Sequence, residues 1–213
     1  MINLMRVPSL EEAAQMMAEA ERKNPGPWVR HSIFTAEAAK AIASQLPALD
    51  PSTAYILGYL HDIGRREGIT GMRHVIDGYV YLMEQGFDDA ARICLTHAFP
   101  LKKIYAVSGE WDCSQEDFDL ANDLLSKIDY TAYDRLIQLC DAVALPTGFC
   151  LIEKRMIDVA LRYGVNGYTI ERWKAHLEVQ KEFEQVIGQS IYQLLPGVVE
   201  NTFGFNSPTR QAK

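Results

Sequence analysis

Apolar side chains recur every three to four residues through most of the chain, and no segment alternates steadily between apolar and polar positions. The first pattern is typical of amphipathic helices, whereas alternation would indicate strands. Capping residues mark helix starts: Ser9 with Glu12 forms a capping box, and Ser114 precedes an acidic first turn. These patterns predict an all-α protein.

Glycines, prolines and capping residues separate the predicted helices. The helices are predicted over residues 9–22, 28–46, 50 or 52 to 64, 72–85, 88 or 89 to 97, 114–127, 129 or 131 to 145, 149–163 and 169–195. Residues 99–113 contain a proline and a glycine without steady periodicity, so we expect a loop there. The segment after Pro196 is rich in glycine, proline and polar residues, and we expect its last residues to be disordered.

Composition limits the class of protein. The chain has 213 residues, of which 48% are hydrophobic and 23% charged, as in a soluble globular domain. The net charge of −7 disfavours a general nucleic-acid-binding surface, and no apolar run is long enough to cross a membrane. The four cysteines lack CxxC spacing and the first residues lack the basic start of a signal peptide, so we expect reduced thiols in a cytoplasmic protein.

The clearest chemical motif is His61-Asp62-Ile63-Gly64, at the end of the apolar central helix. An imidazole nitrogen and a carboxylate oxygen side by side can bind the same cation. We interpret Gly64 as the left-handed residue that ends this helix. The motif therefore predicts a pair of metal ligands presented from a buried helix.

Other polar residues are placed to join this pair. His31, His74 and His97 fall on three further predicted helices, and helical bundles build metal sites from side chains that point inward. Asp141 lies within an apolar stretch, where a carboxylate is costly to bury unless it is paired or metal-bound. Gly78 follows His74 by one turn and would let a neighbouring helix approach closely.

In order and context, His31, then His61-Asp62-Ile63-Gly64, then Asp141 resembles the H…HD…D pattern of the HD-domain metal-dependent phosphohydrolases, in the subgroup marked by HDIG. The resemblance covers residues 28–145 and implies an HD-domain helical bundle. Residues 1–27 would then form an N-terminal helix and turn, and residues 146–213 a C-terminal helical extension packed on the same domain.

The resemblance also implies how metal ions are shared. His74 and His97 resemble the two extra histidines of binuclear HD proteins and would hold a second ion, bridged to the first by Asp62. The first ion would be held by His31, His61, Asp62 and Asp141. Imidazole and carboxylate ligands without thiolate suit iron, manganese, cobalt, nickel or zinc. We therefore expect two divalent transition-metal ions.

The predicted activity is hydrolysis of a small phosphorylated substrate: a phosphomonoester, a nucleotide or a cyclic nucleotide. Asp62 is the predicted catalytic ligand, and Arg65 is predicted to bind a phosphate oxygen and to stabilise developing charge. Lys102 and Lys103, in the loop after His97, are further candidates for binding an anionic substrate. The sequence leaves the oligomeric state open.

Two alternatives to hydrolysis stay open. Some HD-fold proteins with four histidines and two aspartates are di-iron oxygenases, and a non-catalytic HD module could bind a nucleotide or a partner. His97-Ala98 stands where the HD-GYP cyclic-dinucleotide phosphodiesterases typically carry two histidines, which disfavours that substrate. His176 lies outside the pattern and is expected on a helix surface, and Asp134 is expected to pair with a nearby basic side chain.

Overall fold

The computed structural model describes residues 5–205. Within that range the chain forms ten α-helices, two short 3₁₀ segments and one small β-hairpin, which confirms the all-α prediction. The helices are α1 Leu10–Lys23, α2 Pro27–Ala43, α3 Pro51–Leu60, α4 Arg73–Glu84, α5 Asp88–Thr96, α6 Gln115–Lys127, α7 Ala132–Ala142, α8 Ile152–Tyr163, α9 Thr169–Ile187 and α10 Val198–Phe203.

The predicted helix starts are confirmed at several caps. Ser9 and Glu12 form the capping box of α1, and Ser114 accepts a hydrogen bond from a backbone N–H in the first turn of α6. Asp50, and not Ser52, caps α3 through its carboxylate. Local polar sequence therefore determined where these helices begin, as expected for side chains that satisfy unpaired backbone donors.

The predicted end of the central helix was wrong. Helix α3 stops at Leu60, and a 3₁₀ segment, Ile63–Glu67, follows His61 and Asp62. Gly64 does not have a positive φ. A Cβ atom there would lie 2.0 Å from the backbone oxygen of His74, so the close approach of α4 requires this glycine.

Two other close contacts place the helices around this turn. A Cβ atom at Gly58 would lie 2.9 Å from the Cα of Ala36, so α2 and α3 cross closely. At Gly78 it would lie 3.0 Å from the Sγ of Cys94, which confirms that this position lets α4 approach a neighbour. The neighbour is α5.

A buried carboxylate joins α5 to α7. Asp134 is fully buried and accepts hydrogen bonds from Arg92 at 2.7 and 3.1 Å and from the hydroxyl of Thr96 at 2.7 Å. The predicted pairing of Asp134 with a basic side chain is confirmed. This contact fixes the end of α5, next to His97, against the start of α7, the helix that carries Asp141.

The hydrophobic core lies where α2, α3 and α7 pack together, with α4 and α5 against one side. Its fully buried side chains include Ile42, Leu57, Leu60, Leu136 and Ile137. Among the described residues, no helix combines the length and the apolar character needed to span a membrane.

The region around the end of α7 differs from the prediction. Helix α7 ends at Ala142, three residues before the predicted end, and strand β1 (Ala144–Leu145) pairs antiparallel with β2 (Gly148–Phe149). Gly148 has a φ of 139°, which favours glycine and makes the reversal possible. Helix α8 therefore starts after this hairpin and not at Phe149.

The C-terminal part holds more structure than expected. Helix α9 ends at Ile187 because Gly188 takes the left-handed conformation, and Ile191–Leu194 forms a 3₁₀ segment. Helix α10 follows Pro196, and its Asn201 donates a hydrogen bond to the carbonyl of Phe149 at 2.9 Å. The predicted disorder of the last residues concerns positions after 205, outside the described residues.

Replacing Gly64 with alanine should destabilise the fold, because the new methyl group would lie 2.0 Å from a backbone oxygen. Overpacking of this kind costs about 1–3 kcal/mol, or more where backbone must move. Urea denaturation followed by circular dichroism measures the loss. Gly167→Ala is the matched control, because a Cβ atom there meets nothing within 4 Å. Equal losses in the two variants would contradict the steric explanation.

Candidate metal centre

Four histidines and two aspartates from five segments of the chain meet at the edge of the core. Ring centroids are 5.2 Å apart for His31 and His61, 4.8 Å for His61 and His97, and 5.6 Å for His74 and His97. The six residues are His31 in α2, His61 and Asp62 just after α3, His74 in α4, His97 just after α5, and Asp141 in α7. The structure thus brings together every residue predicted to bind metal.

The possible ligand atoms form two overlapping groups. Those of His31, His61 and Asp141 lie within 4.8 Å of one another, and so do those of His61, Asp62 and His97. Nε2 of His31 is 2.9 Å from Oδ1 of Asp141. His74 completes the cluster, with its Nε2 3.2 Å from Oδ1 of Asp62. Both groups contain three donors of the kind that transition metals bind.

Backbone carbonyls fix the orientation of three imidazole rings. Nδ1 of His61 donates to the oxygen of Gly58 at 2.7 Å, and Nδ1 of His74 to that of Gly71 at 2.5 Å. Nδ1 of His97 donates to the backbone oxygen of Ile93 at 3.2 Å. Because a carbonyl only accepts, the proton of each neutral ring is on Nδ1, and Nε2 presents its lone pair to the cluster.

These lone pairs face a carboxylate. Oδ1 of Asp62 lies 3.2 Å from Nε2 of His74 and 3.6 Å from Nε2 of His97, and neither neutral nitrogen has a proton to donate. Oδ1 of Asp62 and Nε2 of His61 are buried without a hydrogen-bond partner. A cation would satisfy all of these atoms together, so the donor set fits a metal ion.

Burial and neighbouring groups favour the metal-binding protonation state of four of the clustered residues. Burial lowers the pKa of His97 to about 3 and also lowers the pKa of His31. Burial alone would raise the pKa of Asp62, but the nearby charge of Arg65 brings it well below its usual value. The pKa of Asp141 is likewise lowered against its burial, chiefly by His31. Metal binding requires these deprotonated forms.

The model of one protein family, the HD domain, matches residues 28–145. This segment is more than half of the chain and contains all six clustered residues. The chain belongs to the HD domain family. No curated protein and no solved structure gave a match. HD domains bind divalent metals, in agreement with the cluster, whereas membership of the HDIG subgroup stays a prediction.

Arg65 is the cation nearest to the ligands of this HD domain. Its Nε donates to Oδ2 of Asp62 at 2.7 Å, and its Nη2 donates to Nε2 of His74 at 3.3 Å. The guanidinium thus contacts two of the three residues predicted to hold the second ion. It would have to withdraw from His74 when that ion binds.

A cavity of about 150 Å³ opens on the cluster. The HD domain forms one part of its wall, with His31, Asp62 and His74 among the lining residues. The rest comes from α8 and α9, outside the matched segment, with Arg155, Arg162, Arg172, Trp173 and His176. The C-terminal extension therefore shapes the space available to a substrate.

Several cavity residues were missed or misplaced by sequence reasoning. His176 was expected on a helix surface but is half-buried and lines the cavity, so that expectation was wrong. Arg155 was not predicted, yet its Nη2 lies 3.3 Å from Oδ1 of Asp141. Arg172 and His176 are one helical turn apart, a spacing visible in the sequence. Only the packing of α9 shows that this face meets the cavity.

The two predicted lysines lie elsewhere. Lys102 pairs with Asp129 at 3.3 Å and Lys103 with Glu171 at 2.8 Å, and both side chains are exposed. Neither is among the residues that line the cavity. Their role in substrate binding remains a prediction without structural support.

Removing the Arg65 side chain should tighten the binding of a second divalent ion, because the guanidinium no longer repels it or bonds to His74. A like charge about 4 Å away costs enough, at an effective dielectric constant of about 20, to change affinity about tenfold or more. Calorimetric titration of chelator-treated protein with Mn²⁺ measures both binding steps for wild type and Arg65→Ala.

Arg162→Ala is the matched control for that titration. Arg162 lines the same cavity but bonds to Asp158 at 2.7 Å and to none of the clustered residues. If the two variants bound the second ion with the same affinity, competition by the Arg65 guanidinium would be disproved.

Proposed function

We propose that this HD-domain protein is a metal-dependent hydrolase of small phosphate esters: phosphomonoesters, nucleotides or cyclic nucleotides. The observation that carries the proposal is the convergence of imidazole lone pairs and carboxylates on one buried cluster beside an arginine-lined cavity. The cluster suits a divalent cation, and the arginines suit an anionic substrate.

We propose two ions, one held by His31, His61, Asp62 and Asp141 and the other by His74, His97 and the shared Asp62. Bound there, such ions polarise a phosphoryl oxygen and lower the pKa of a coordinated water. The candidates are iron, manganese, cobalt, nickel and zinc, because the described cluster combines nitrogen and oxygen donors and contains no thiolate.

The chain's own residues would position the phosphoryl group. Arg65 keeps one N–H group on Asp62 and can turn its others from His74 toward a phosphate oxygen. Arg155 lies on the other side, beside Asp141, and bonds to Asp158 as well. Burial of the ligands excludes bulk water, which strengthens the interaction of both guanidinium groups with charge that develops on the phosphoryl group.

A di-iron oxygenase is the second candidate, because four histidines and two aspartates are also the ligand set of HD-fold oxygenases. Oxygen chemistry requires redox-active iron, whereas hydrolysis tolerates zinc or manganese. Metal analysis of protein purified without chelator distinguishes the oxygenase, which must contain iron, from a hydrolase that contains zinc or manganese. A non-catalytic module has no need of a complete set of ligands, so we give it less weight.

We further propose a cytoplasmic protein whose partner is a small phosphorylated compound, not nucleic acid or a membrane. The formal charge of −7 supports the exclusion of nucleic acid, since a polyanion would be repelled. The oligomeric state stays open.

Substituting Asp62 and Arg65 should have different effects on activity. Asp62→Ala removes the carboxylate at the centre of the cluster, so metal content and phosphate release should fall together. Arg65→Ala should retain metal, because a guanidinium is no ligand, but lose one charge-assisted contact to substrate, about 1.5–3 kcal/mol. The expected loss of rate is roughly ten- to a hundredfold.

The measurement is phosphate release from a panel of phosphomonoesters, nucleotides and cyclic nucleotides, with elemental analysis of each variant. If Arg65→Ala turned over the best substrate as fast as wild type, Arg65 would have no role in phosphate binding. If wild type released no phosphate but consumed oxygen with iron bound, the oxygenase would replace the hydrolase.

A further inference from the structure

Arg172 is a buried cation in the part of the cavity wall that lies outside the HD domain. It occupies the first turn of α9, lines the cavity, and is only 6% exposed. Its helix is anchored just before this turn, where Asn166 bonds to the carbonyl of Val107 at 3.0 Å and to Thr169. The backbone that carries Arg172 is therefore held at a fixed place in the wall.

The charge of Arg172 has no protein partner in the part of the chain that the structure describes. Its Nη1 is buried without a hydrogen bond, and within residues 5–205 no carboxylate forms an ion pair with it. The other cavity arginines differ: Arg65 pairs with Asp62, Arg155 with Asp141, and Arg162 with Asp158. Burial lowers the pKa of Arg172, yet an arginine stays protonated at neutral pH.

An unpaired buried charge is among the most expensive features a fold can contain. It is tolerated where a ligand supplies the opposite charge. His176, one turn further along α9, also has a buried Nδ1 without a partner. Burial lowers the pKa of His176 to about 4, so at neutral pH the ring can donate a hydrogen bond without adding charge. The pair has the chemistry of an oxyanion-binding site.

Arg172 is also separate from the metal cluster. Arg65 and Arg155 contact proposed metal ligands directly, whereas no described hydrogen bond or ion pair joins Arg172 to any of the six. The two arginines beside the cluster are thus available to the reacting phosphoryl group. Arg172 is therefore available to another group of the same substrate molecule.

We propose that Arg172, with His176, binds a second anionic group of the substrate, a carboxylate or a further phosphate. The inference rests on the proposed function for the phosphate ester that reaches the metal centre. It narrows the substrate class to phosphate esters that carry another oxyanion, and it assigns this specificity to α9.

Binding measurements with matched compounds test the proposal without requiring turnover. 3-Phosphoglycerate is compared with glycerol 3-phosphate, which lacks the carboxylate, and fructose 1,6-bisphosphate with fructose 6-phosphate, which lacks one phosphate. Calorimetry on the protein as purified should show the doubly anionic member of at least one pair binding roughly ten- to a hundredfold more tightly.

Arg172→Met should remove most of that advantage while leaving the singly anionic compound unaffected, and Arg172→Lys should restore part of it. Arg162→Met is the matched control, since that arginine lines the same cavity but is paired with Asp158, and it should keep the advantage. The melting temperature of Arg172→Met should not fall, because the variant removes an unpaired buried charge.

Three results would overturn the proposal. The first is that wild type prefers neither doubly anionic compound, and the second is that Arg172→Met keeps the preference of wild type. The third is that Arg172→Met binds both members of a pair more weakly by the same factor, which would place Arg172 on the reacting phosphate. Phosphate release is followed in the same samples. If binding depended on Arg172 but no phosphate were released, the proposed hydrolase activity alone would be contradicted. If phosphate were released but binding did not depend on Arg172, this inference alone would be contradicted.

Discussion

The geometry of the centre follows from the position of one carboxylate. Asp62 lies among imidazole rings whose Nδ1 protons point away from it, to backbone carbonyls of Gly58, Gly71 and Ile93. Lone pairs that face a negative oxygen repel it, and burial removes the water that would screen the repulsion. The protein can hold this arrangement because its helices are fixed by other contacts. A positive charge at the centre would remove the repulsion.

Those other contacts are made by small residues and by one ion pair. The backbone of α4 lies against Gly64, and α2 lies against α3 at Gly58, so histidines on these helices meet without long side chains between them. Asp134 and Arg92 lock α5 to α7 at the distance that this requires. The centre is thus a product of helix packing, and each ligand is attached to a rigid element.

The sequence predicted those features of the fold and the site that depend on residues close together in the chain. Helical periodicity, caps and the His61-Asp62 pair predicted the helices and the cluster, because periodicity and ligand chemistry depend on residues that are close in the sequence. Gly64 was misinterpreted because a left-handed turn and a close helix contact both favour glycine, and only the path of α4 distinguishes them. Arg172 was missed and His176 was expected on the surface because their role depends on where a distant helix packs, and helical spacing alone also fits an exposed face.

The contact between Gly78 and Cys94 has a consequence for the choice of metal. Cys94 packs beside the helix that carries His74, but its thiol donates to the carbonyl of Leu60 at 3.3 Å, and burial raises its pKa. A sulfur atom that stays protonated is neither a ligand nor a nucleophile. Soft ions such as Cu(I) and Cd²⁺ thus gain no thiolate here, and alkylating agents that inactivate cysteine enzymes should leave this centre intact.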